Sequence, residues 1–543
     1  MMTLRYLAVA LTGACLAVAG NGKLSKDLSG VNAATSVDVI VQFRSARTDR
    51  QEARIARKGG RLKVDLGRIH AAVYTAPGSV LDDLSSDPDV LYISPDRKIA
   101  GSLEYANPTI GADLAQRAGF DGAGIGIAVI DSGITAKPDL NKSAGKGSRV
   151  VYQQSFVPGD LSTIDACGHG TNVAGILAGN ASDTAGPGYV KAFSGIAPSA
   201  NFVNLRVLGK DGTDSDSAVL AAIDRAIQLM SQYNIRVLNL FPGRPVYESY
   251  TLDPLCQAVE RAWQAGIVVV VAAGNEGRNN SFGTHRYATI MSPGNDPLAI
   301  TVGAMDDRES IGRGDDVIAS YSSKGPTAID HIVKPDIVAP GNRIISLLSA
   351  TNVKTDSAAD INRTSWKYDR DTKTTGESLA YYKLSGTSMA APMVSGTVAL
   401  MLDKDLTLTP DTVKARLMKT ATKSFPAMSM ACDPGTGACY RRQYDLFTIG
   451  AAYVDTWAAV KVLDIADGNT ASPAAVYETK TGTIAVVNSD SALWGSNAVW
   501  GSNAVWGSTS TSGFNAVWGS NTAWGSNGSL AGESLHRALN GDN

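Results

Sequence analysis

Between about residues 126 and 464 the chain alternates short, continuously apolar runs with longer segments whose apolar residues recur at helical spacing. The apolar runs lie at 127–130, 203–208, 237–240, 267–273 and 299–302, and the helical patterns at 215–232 and 253–265. Strands without polar alternation are buried on both faces. The pattern therefore predicts an α/β domain built on a parallel sheet with helices on both faces. In such sheets, functional residues gather at the carboxyl ends of the strands.

Residues 37–100 have a different pattern with shorter elements. Apolar residues alternate with others at 37–43, which predicts a strand, and a helical stretch near 48–58 follows. Strand-like runs at 61–66 and 69–75, a short helix from Ser79 and a strand at 90–94 complete the pattern. The order strand, helix, strand, strand, helix, strand predicts a small, separate ferredoxin-like domain.

The two ends of the chain carry other signals. Arg5 precedes an apolar run at 6–20, which is short for a membrane span and ends in a small-residue cleavage site. We expect residues 1–20 to be a signal peptide and the protein to be secreted, extracellular or associated with the cell surface. A short buried helix is the alternative.

Near the other end, Trp-Gly-Ser-Asn-Ala-Val recurs within residues 491–529, with tryptophans at 494, 500, 506, 518 and 524. Because most spacings are six and all are even, a strand would place these rings on one face. Such a row can stack on sugars, which allows contact with a cell surface or polysaccharide, or it can self-associate. A flexible tail without a specific partner remains the third interpretation.

Composition narrows the function only a little. The 543 residues carry a formal net charge of -2, which does not favour nucleic-acid binding. Four cysteines follow the signal peptide, an even number that is compatible with disulfides in an exported protein. Cys432 and Cys439 flank a turn-rich loop that can close a local bridge, whereas Cys167 and Cys256 either pair or stay free.

Three polar residues stand where catalytic groups are expected. Asp131 directly follows the apolar strand at 127–130, where an unpaired carboxylate would be costly. His169 begins a run of small residues suited to a tightly packed helix. Ser388 stands at or near the start of a buried helix, whose free N–H groups suit an oxyanion, and we expect Pro392 in its first turn. Taken one at a time, Asp131 is explained as the start of a turn, His169 as a packed side chain and Ser388 as a serine N-cap.

Together they form a more specific set. A serine hydroxyl is a poor nucleophile until a base takes its proton, and the base needs an acid to fix its tautomer. The sequence resembles the subtilisin-like serine proteases, which have the same chain order of Asp, His and Ser. The matching segments are at 128–133, 168–171, 272–277, 334–341 and 385–392, and the resemblance covers roughly 105–465.

The resemblance implies a secreted serine endopeptidase that cleaves polypeptides through an acyl-enzyme. Its implied site residues are Asp131, His169 and Ser388 as the triad, Asn275 as an oxyanion donor, and Gly243, Ala273 and Gly274 in substrate binding. It also implies that residues 21–102 are a self-processed, inhibitory pro-segment and 103–465 the catalytic domain, followed by a tail at 466–543. No cofactor is required. Structural calcium is common in the family, but no acidic loop here matches a site.

Two positions depart from the family pattern. Asn172 stands where many relatives have a second histidine, and we expect activity to survive because His169 is present. Residues 241–243 read Phe-Pro-Gly where relatives carry Ser-Leu-Gly, along the edge that pairs with substrate. Since proline lacks an N–H and has a fixed φ, we expect a reshaped edge. This leaves open an alternative function: an inactive protease fold that binds a surface through its tail.

Overall fold

The computed structural model describes most of the chain in two compact units, Met1–Ile99 and Ala100–Asn543. The described residues are 23–24, 28, 31–33, 35–67, 70–95, 105–142, 147–184, 189, 191–213, 215–241, 243–281, 283–349, 362–365, 376–434, 436–466, 468–478, 483–487 and 541–542. The expected signal peptide and the tryptophan repeat lie outside them. Within the described residues, no helix is long and apolar enough to cross a bilayer.

The first unit is a four-stranded antiparallel sheet with two helices. Its elements are β1 (Ser36–Phe43), α1 (Asp49–Arg57), β2 (Arg61–Leu66), β3 (Ala71–Pro77), α2 (Ser79–Ser85) and β4 (Val90–Pro95). The strand order is β2-β3-β1-β4. Helix α1 begins at a capping box between Thr48 and Gln51. Alternate β1 residues Val39, Val41 and Phe43 form the core with Ile55, as the alternating pattern predicts.

The second unit is built on an eight-stranded sheet. Its strands are β5 (Gly126–Asp131), β6 (Val150–Ser155), β7 (Asn201–Arg206), β8 (Ile235–Leu240), β9 (Val268–Ala272), β10 (Ile300–Asp306), β11 (Val317–Ile318) and β12 (Ile337–Pro340). The order is β11-β10-β9-β8-β5-β7-β6, with β12 also beside β10. All pairs are parallel except β10 with β11. The parallel sheet expected from the sequence is therefore present, and the sequence missed only the antiparallel edge strand, because two-residue β11 is too short to leave a periodic pattern.

Helices cover this sheet, and further strands lie around it. The helices are α3 (Ala106–Thr109), α4 (Ala112–Arg117), α5 (His169–Ala178), α6 (Asp216–Tyr233), α7 (Pro254–Gln264), α8 (Thr387–Lys404), α9 (Pro410–Thr420), α10 (Leu446–Ile449) and α11 (Thr456–Lys461), with a 3-10 turn at Pro138–Leu140. A small antiparallel sheet contains β13 (Ile344–Leu347), β14 (Arg363–Ser365) and β15 (Glu377–Leu384). Two hairpins follow, β16 (Met428–Cys432) with β17 (Cys439–Gln443), and β18 (Ala474–Glu478) with β19 (Thr483–Val487).

Helix α8 is the central helix of this unit. It packs against α5 and against β8, β9, β10 and β12, while α6 and α7 pack together on other parts of the sheet. Every α8 residue from Thr387 to Leu402 is buried. The expectation that Pro392 lies in the first turn was wrong, since the helix begins at Thr387 and places it in the second turn. The missing Pro392 N–H means that the Ser388 carbonyl receives no bond from that position.

Two of the four described cysteines form a disulfide, and the other two do not. Cys432 and Cys439 form the expected local disulfide, which closes the β16–β17 hairpin. Exposed Cys167 and buried Cys256 belong to no disulfide, which settles the choice left open by the sequence. Burial raises the pKa of the Cys256 thiol, so this side chain behaves as a packed apolar group.

Candidate active site

Asp131 and His169 meet where β5 ends and α5 begins. The Nδ1 atom of His169 lies 2.9 Å from Asp131 Oδ1 and 3.0 Å from Oδ2. The carboxylate also accepts a 2.6 Å bond from the Ser132 N–H. Burial lowers the pKa of His169, but the charge and hydrogen bond of Asp131 outweigh it and raise that pKa above its ordinary value. The contact keeps the proton on Nδ1 and leaves Nε2 able to accept another.

Buried Asp165 holds the first turn of α5 in place. Its carboxylate accepts bonds from the N–H groups of Gly168 at 2.6 Å and Thr171 at 2.8 Å, and from the Ser132 hydroxyl at 2.8 Å. That hydroxyl in turn accepts from the Gly170 N–H at 2.9 Å. Asp165 therefore ties the start of α5 to the end of β5. An isolated acid in an irregular segment carries no sequence pattern that would have pointed to this role.

Phe241 covers one face of the His169 ring. It directly follows β8, which lies beside β5 in the sheet, so the two strand ends bring Phe241 next to Asp131 and its partner. The ring centroids of Phe241 and His169 are 3.9 Å apart, with an angle of 39° between the planes. The altered segment at 241–243 thus places an aromatic ring against the candidate base. Pro242 lies outside the described residues.

Ser388 and Asn275 border one small space at the start of α8. The Asn275 side-chain oxygen accepts bonds from the Thr387 N–H at 2.9 Å and the Thr387 hydroxyl at 3.0 Å. A Cβ atom on Gly386 would lie 3.4 Å from Asn275 Nδ2 and 3.7 Å from the Ser388 backbone nitrogen. Because Gly386 has no Cβ, the Asn275 amide nitrogen and the Ser388 backbone nitrogen both border the position that a Cβ would take, and two such nitrogens close together are the kind of groups that stabilise a negatively charged oxygen.

His169 and Ser388 stand in the first turns of α5 and α8, two helices that pack together. Within the described residues, the two side chains are not hydrogen-bonded to each other. In enzymes without bound substrate such contacts are often long, and they tighten when the substrate binds. The structure therefore joins Asp131 directly to His169, and links Asn275 to Thr387, the residue before Ser388.

The three residues expected to bind substrate meet around Met291. A Cβ atom on Gly274 would lie 2.6 Å from Met291 Cγ, and one on Gly243 would lie 3.3 Å from Met291 Cβ. The Met291 N–H donates to the Ala273 carbonyl at 3.1 Å. Met291 thus occupies space between the two segments. No pattern in the sequence distinguishes it from an ordinary packed methionine.

Known proteins resemble this chain over much of its length. Residues 122–435 match the model of the subtilase family, Peptidase_S8. Serine protease AprX of Bacillus subtilis (strain 168) is 34% identical over 68% of this chain and 77% of its own length. Subtilisin E of the same organism is 31% identical over 72% of this chain and 86% of its own. A crystal structure of a cold adapted subtilisin-like serine proteinase aligns with 56% of this chain and 85% of that chain, at 27% identity and a TM-score of 0.39, too low to support an argument. The chain belongs to the subtilase family and is a serine endopeptidase.

Proposed function

We propose that this endopeptidase is secreted and uses Ser388, His169 and Asp131 as its catalytic triad. The observation that carries the proposal is the pair of contacts, at 2.9 and 3.0 Å, between His169 Nδ1 and the buried carboxylate at the end of β5. A carboxylate in this position orients the imidazole and stabilises its protonated form. In a serine endopeptidase of this family, that pair supplies the base which the nucleophile needs.

Each residue then has a role in peptide hydrolysis. The Ser388 hydroxyl attacks the substrate carbonyl while His169 Nε2 takes its proton, and His169 next gives that proton to the leaving amine. Water, activated by the same base, hydrolyses the acyl-enzyme. The Asn275 amide and the Ser388 N–H stabilise the negatively charged oxygen of each tetrahedral intermediate. None of these steps calls for a metal ion or organic cofactor.

Gly243, Ala273 and Gly274 form the proposed pocket for the side chain before the scissile bond. Met291 lies against both glycines and reduces the space that they leave. A large side chain would have to displace it, which costs free energy in a packed site. The proposed preference is therefore for substrates with a small side chain at this position.

The proposal includes maturation. Residues 1–20 are the proposed signal peptide, and 21–102 the pro-segment, with a ferredoxin-like inhibitor domain at 37–100. The separate antiparallel unit, with its strand order β2-β3-β1-β4, supports that domain. Cleavage between about residues 99 and 105 leaves the catalytic domain and its tail.

The test compares Ser388→Ala with the unaltered enzyme and with Ser395→Ala. Ser395 is a matched control because it is a buried serine of the same helix, bonded to Asn239 at 2.8 Å. We expect Ser388→Ala to lose peptide hydrolysis and to keep the pro-segment attached in mass spectra. Ser395→Ala should mature and cleave peptides. Maturation and hydrolysis by folded Ser388→Ala would contradict the proposal, and an unaltered chain that does neither would favour the inactive, surface-binding alternative.

A further inference from the structure

Asp542, far beyond the catalytic region in the chain, is buried in the second unit, with 1% of its surface exposed. Its carboxylate accepts 2.6 Å bonds from Arg278 Nη2 and the Ser320 hydroxyl, and a further bond from the Ser320 N–H. Asn342 binds its backbone twice, since Nδ2 donates to the carbonyl at 3.1 Å and Oδ1 accepts from the N–H at 2.8 Å. Every hydrogen-bonding group of Asp542 therefore has a partner.

Arg278 is held in place by groups other than Asp542. Its Nη1 atom pairs with Asp433 at 2.6 Å and its Nε donates to Ser320 at 2.7 Å. The rings of Tyr321 and Tyr440 lie 5.9 and 5.3 Å from the guanidinium. Asp433 and Tyr440 belong to the disulfide-closed hairpin of β16 and β17. These contacts leave Nη2 directed at the Asp542 carboxylate, a geometry that favours a planar acid.

The neighbouring residue, Gly541, fits for a steric reason. It has a left-handed φ of 64°. A Cβ atom there would lie 2.4 Å from Asn342 Oδ1 and 2.5 Å from the Ser385 hydroxyl, closer than non-bonded atoms approach. Both the backbone angle and the contact exclude a side chain. The site thus selects a residue without a Cβ followed by an acid.

We propose that Arg278, Ser320 and Asn342 form a binding site for a Gly-Asp peptide segment, and that Gly541-Asp542 of the chain's own tail is its ligand. In the sequence, the repeat at 491–529 stands between the β18–β19 hairpin and this segment. Ser385, which adjoins Gly541, is three residues before Ser388. The tail is therefore anchored beside the loop that leads into the proposed nucleophile, and the site needs no catalysis to bind it.

Hydrogen–deuterium exchange in the full chain tests the contact, with Ser388→Ala present throughout to prevent loss of the tail by proteolysis. We expect Gly541→Ala and Asp542→Ala each to increase exchange at the Ser320 amide by at least about tenfold, because that N–H loses its buried acceptor. Gly468→Ala is the matched control, since Gly468 has a left-handed φ of 96° but no atom within 4 Å of a Cβ. It should leave Ser320 unchanged. Unchanged exchange at Ser320 in both tail variants would overturn the proposal.

A peptide supplied separately tests whether the site binds the segment by itself. A synthetic peptide of residues 534–543, added to the full chain carrying Asp542→Ala, should slow exchange at Ser320 again and do so saturably. The same peptide with Asp542→Asn, and the natural peptide added to a chain that also carries Arg278→Gln, should fail. If the natural peptide never restores protection, the contact is part of the intact fold and no binding site, and the proposal is wrong.

Discussion

Two fully buried aspartates in the second unit, Asp336 and Asp131, differ in the basic side chains that pair with them. The Asp336 carboxylate lies 2.7 Å from Lys334 Nζ and 3.2 Å from Lys414 Nζ, and it accepts further bonds from Ser472 and the Thr301 N–H. Among the residues that the structure describes, Asp131 has one ionisable partner, the imidazole of His169. One acid is thus paired with two lysine ammonium groups, and the other with a single imidazole.

The pKa shifts reflect this difference. Burial raises the pKa of Asp336, but Lys334 and Lys414 outweigh it and hold that pKa below the ordinary value. Burial lowers the pKa of Lys414 to about 8, which still leaves this ammonium mostly protonated at pH 7. At His169, by contrast, Asp131 raises the pKa of an imidazole, a group that can take up a proton and return it during a reaction. We call Asp336 with Lys334 and Lys414 the saturated cluster, because two cations balance one acid, and Asp131 with His169 the unsaturated cluster. The saturated cluster joins elements of the fold, whereas the unsaturated cluster can move protons.

The largest expected effect is at the unsaturated cluster. We expect Asp131→Asn to lower kcat/KM by about 10⁴-fold, the loss established for serine proteases whose histidine loses this partner. The enzyme needs neutral His169, so activity is lost as pH falls through that pKa. Because Asp131 raises the pKa, its removal should move the acid limb of the pH profile to lower pH. An acid limb at the same pH would show that Asp131 does not set it.

At the saturated cluster we expect Asp336→Asn to lower the free energy of unfolding by about 3–5 kcal/mol, because two buried ammonium groups lose their counter-charge. Turnover per folded molecule should stay within about twofold. Asp464→Asn is the control, since Asp464 pairs with Lys419 on the surface and should cost at most about 1 kcal/mol. Denaturant unfolding measures both. Equal losses in the two variants would remove the distinction between the clusters.

Asn275 is proposed to stabilise the oxyanion with a neutral amide, and not with a charged group. We expect Asn275→Ala to lower kcat by about 10²–10³-fold with little change in KM, a magnitude carried over from a subtilisin of this family. Thr387→Val keeps the Asn275 amide but removes one bond to its oxygen, so its loss should be smaller. A larger loss in Thr387→Val would mean that Asn275 acts by holding α8 and not as a donor.

Met291→Ala should change selectivity more than stability. Opening the space against Gly243 and Gly274 should shift kcat/KM towards larger side chains before the scissile bond by about 10–100-fold. Peptides that differ only at this position, assayed with both enzymes, measure the shift. Unchanged relative rates would place the pocket elsewhere.

The smallest effect concerns Phe241. An aromatic face against an imidazolium stabilises the charged form, so Phe241→Leu, which keeps an apolar side chain, should move the acid limb to lower pH by up to about one unit. A limb that moves to higher pH, or not at all, would show that the 3.9 Å ring contact affects only packing.

Local patterns predicted the residues that end strands or begin helices. Asp131 follows an apolar run, and His169 and Ser388 precede runs of small or apolar residues, so their places could be read from neighbouring residues. Phe241 was noticed only as a departure from the family pattern, and its contact with His169 was not predicted. Met291 and Asp165 gave no signal, because their roles arise from segments that meet only in the folded chain. The Arg278–Asp542 contact is the extreme case, since these residues are distant in sequence and neither has a recognisable motif.

Whether Ser388 is the nucleophile activated by His169 and Asp131 can be measured by treating the folded enzyme with a fluorophosphonate and locating the adduct by mass spectrometry. We expect a single adduct on Ser388, formed much more slowly in Asp131→Asn and at an unchanged rate in the folded fraction of Asp336→Asn. An adduct on another serine, or none on folded enzyme free of its first unit, would contradict this role of Ser388.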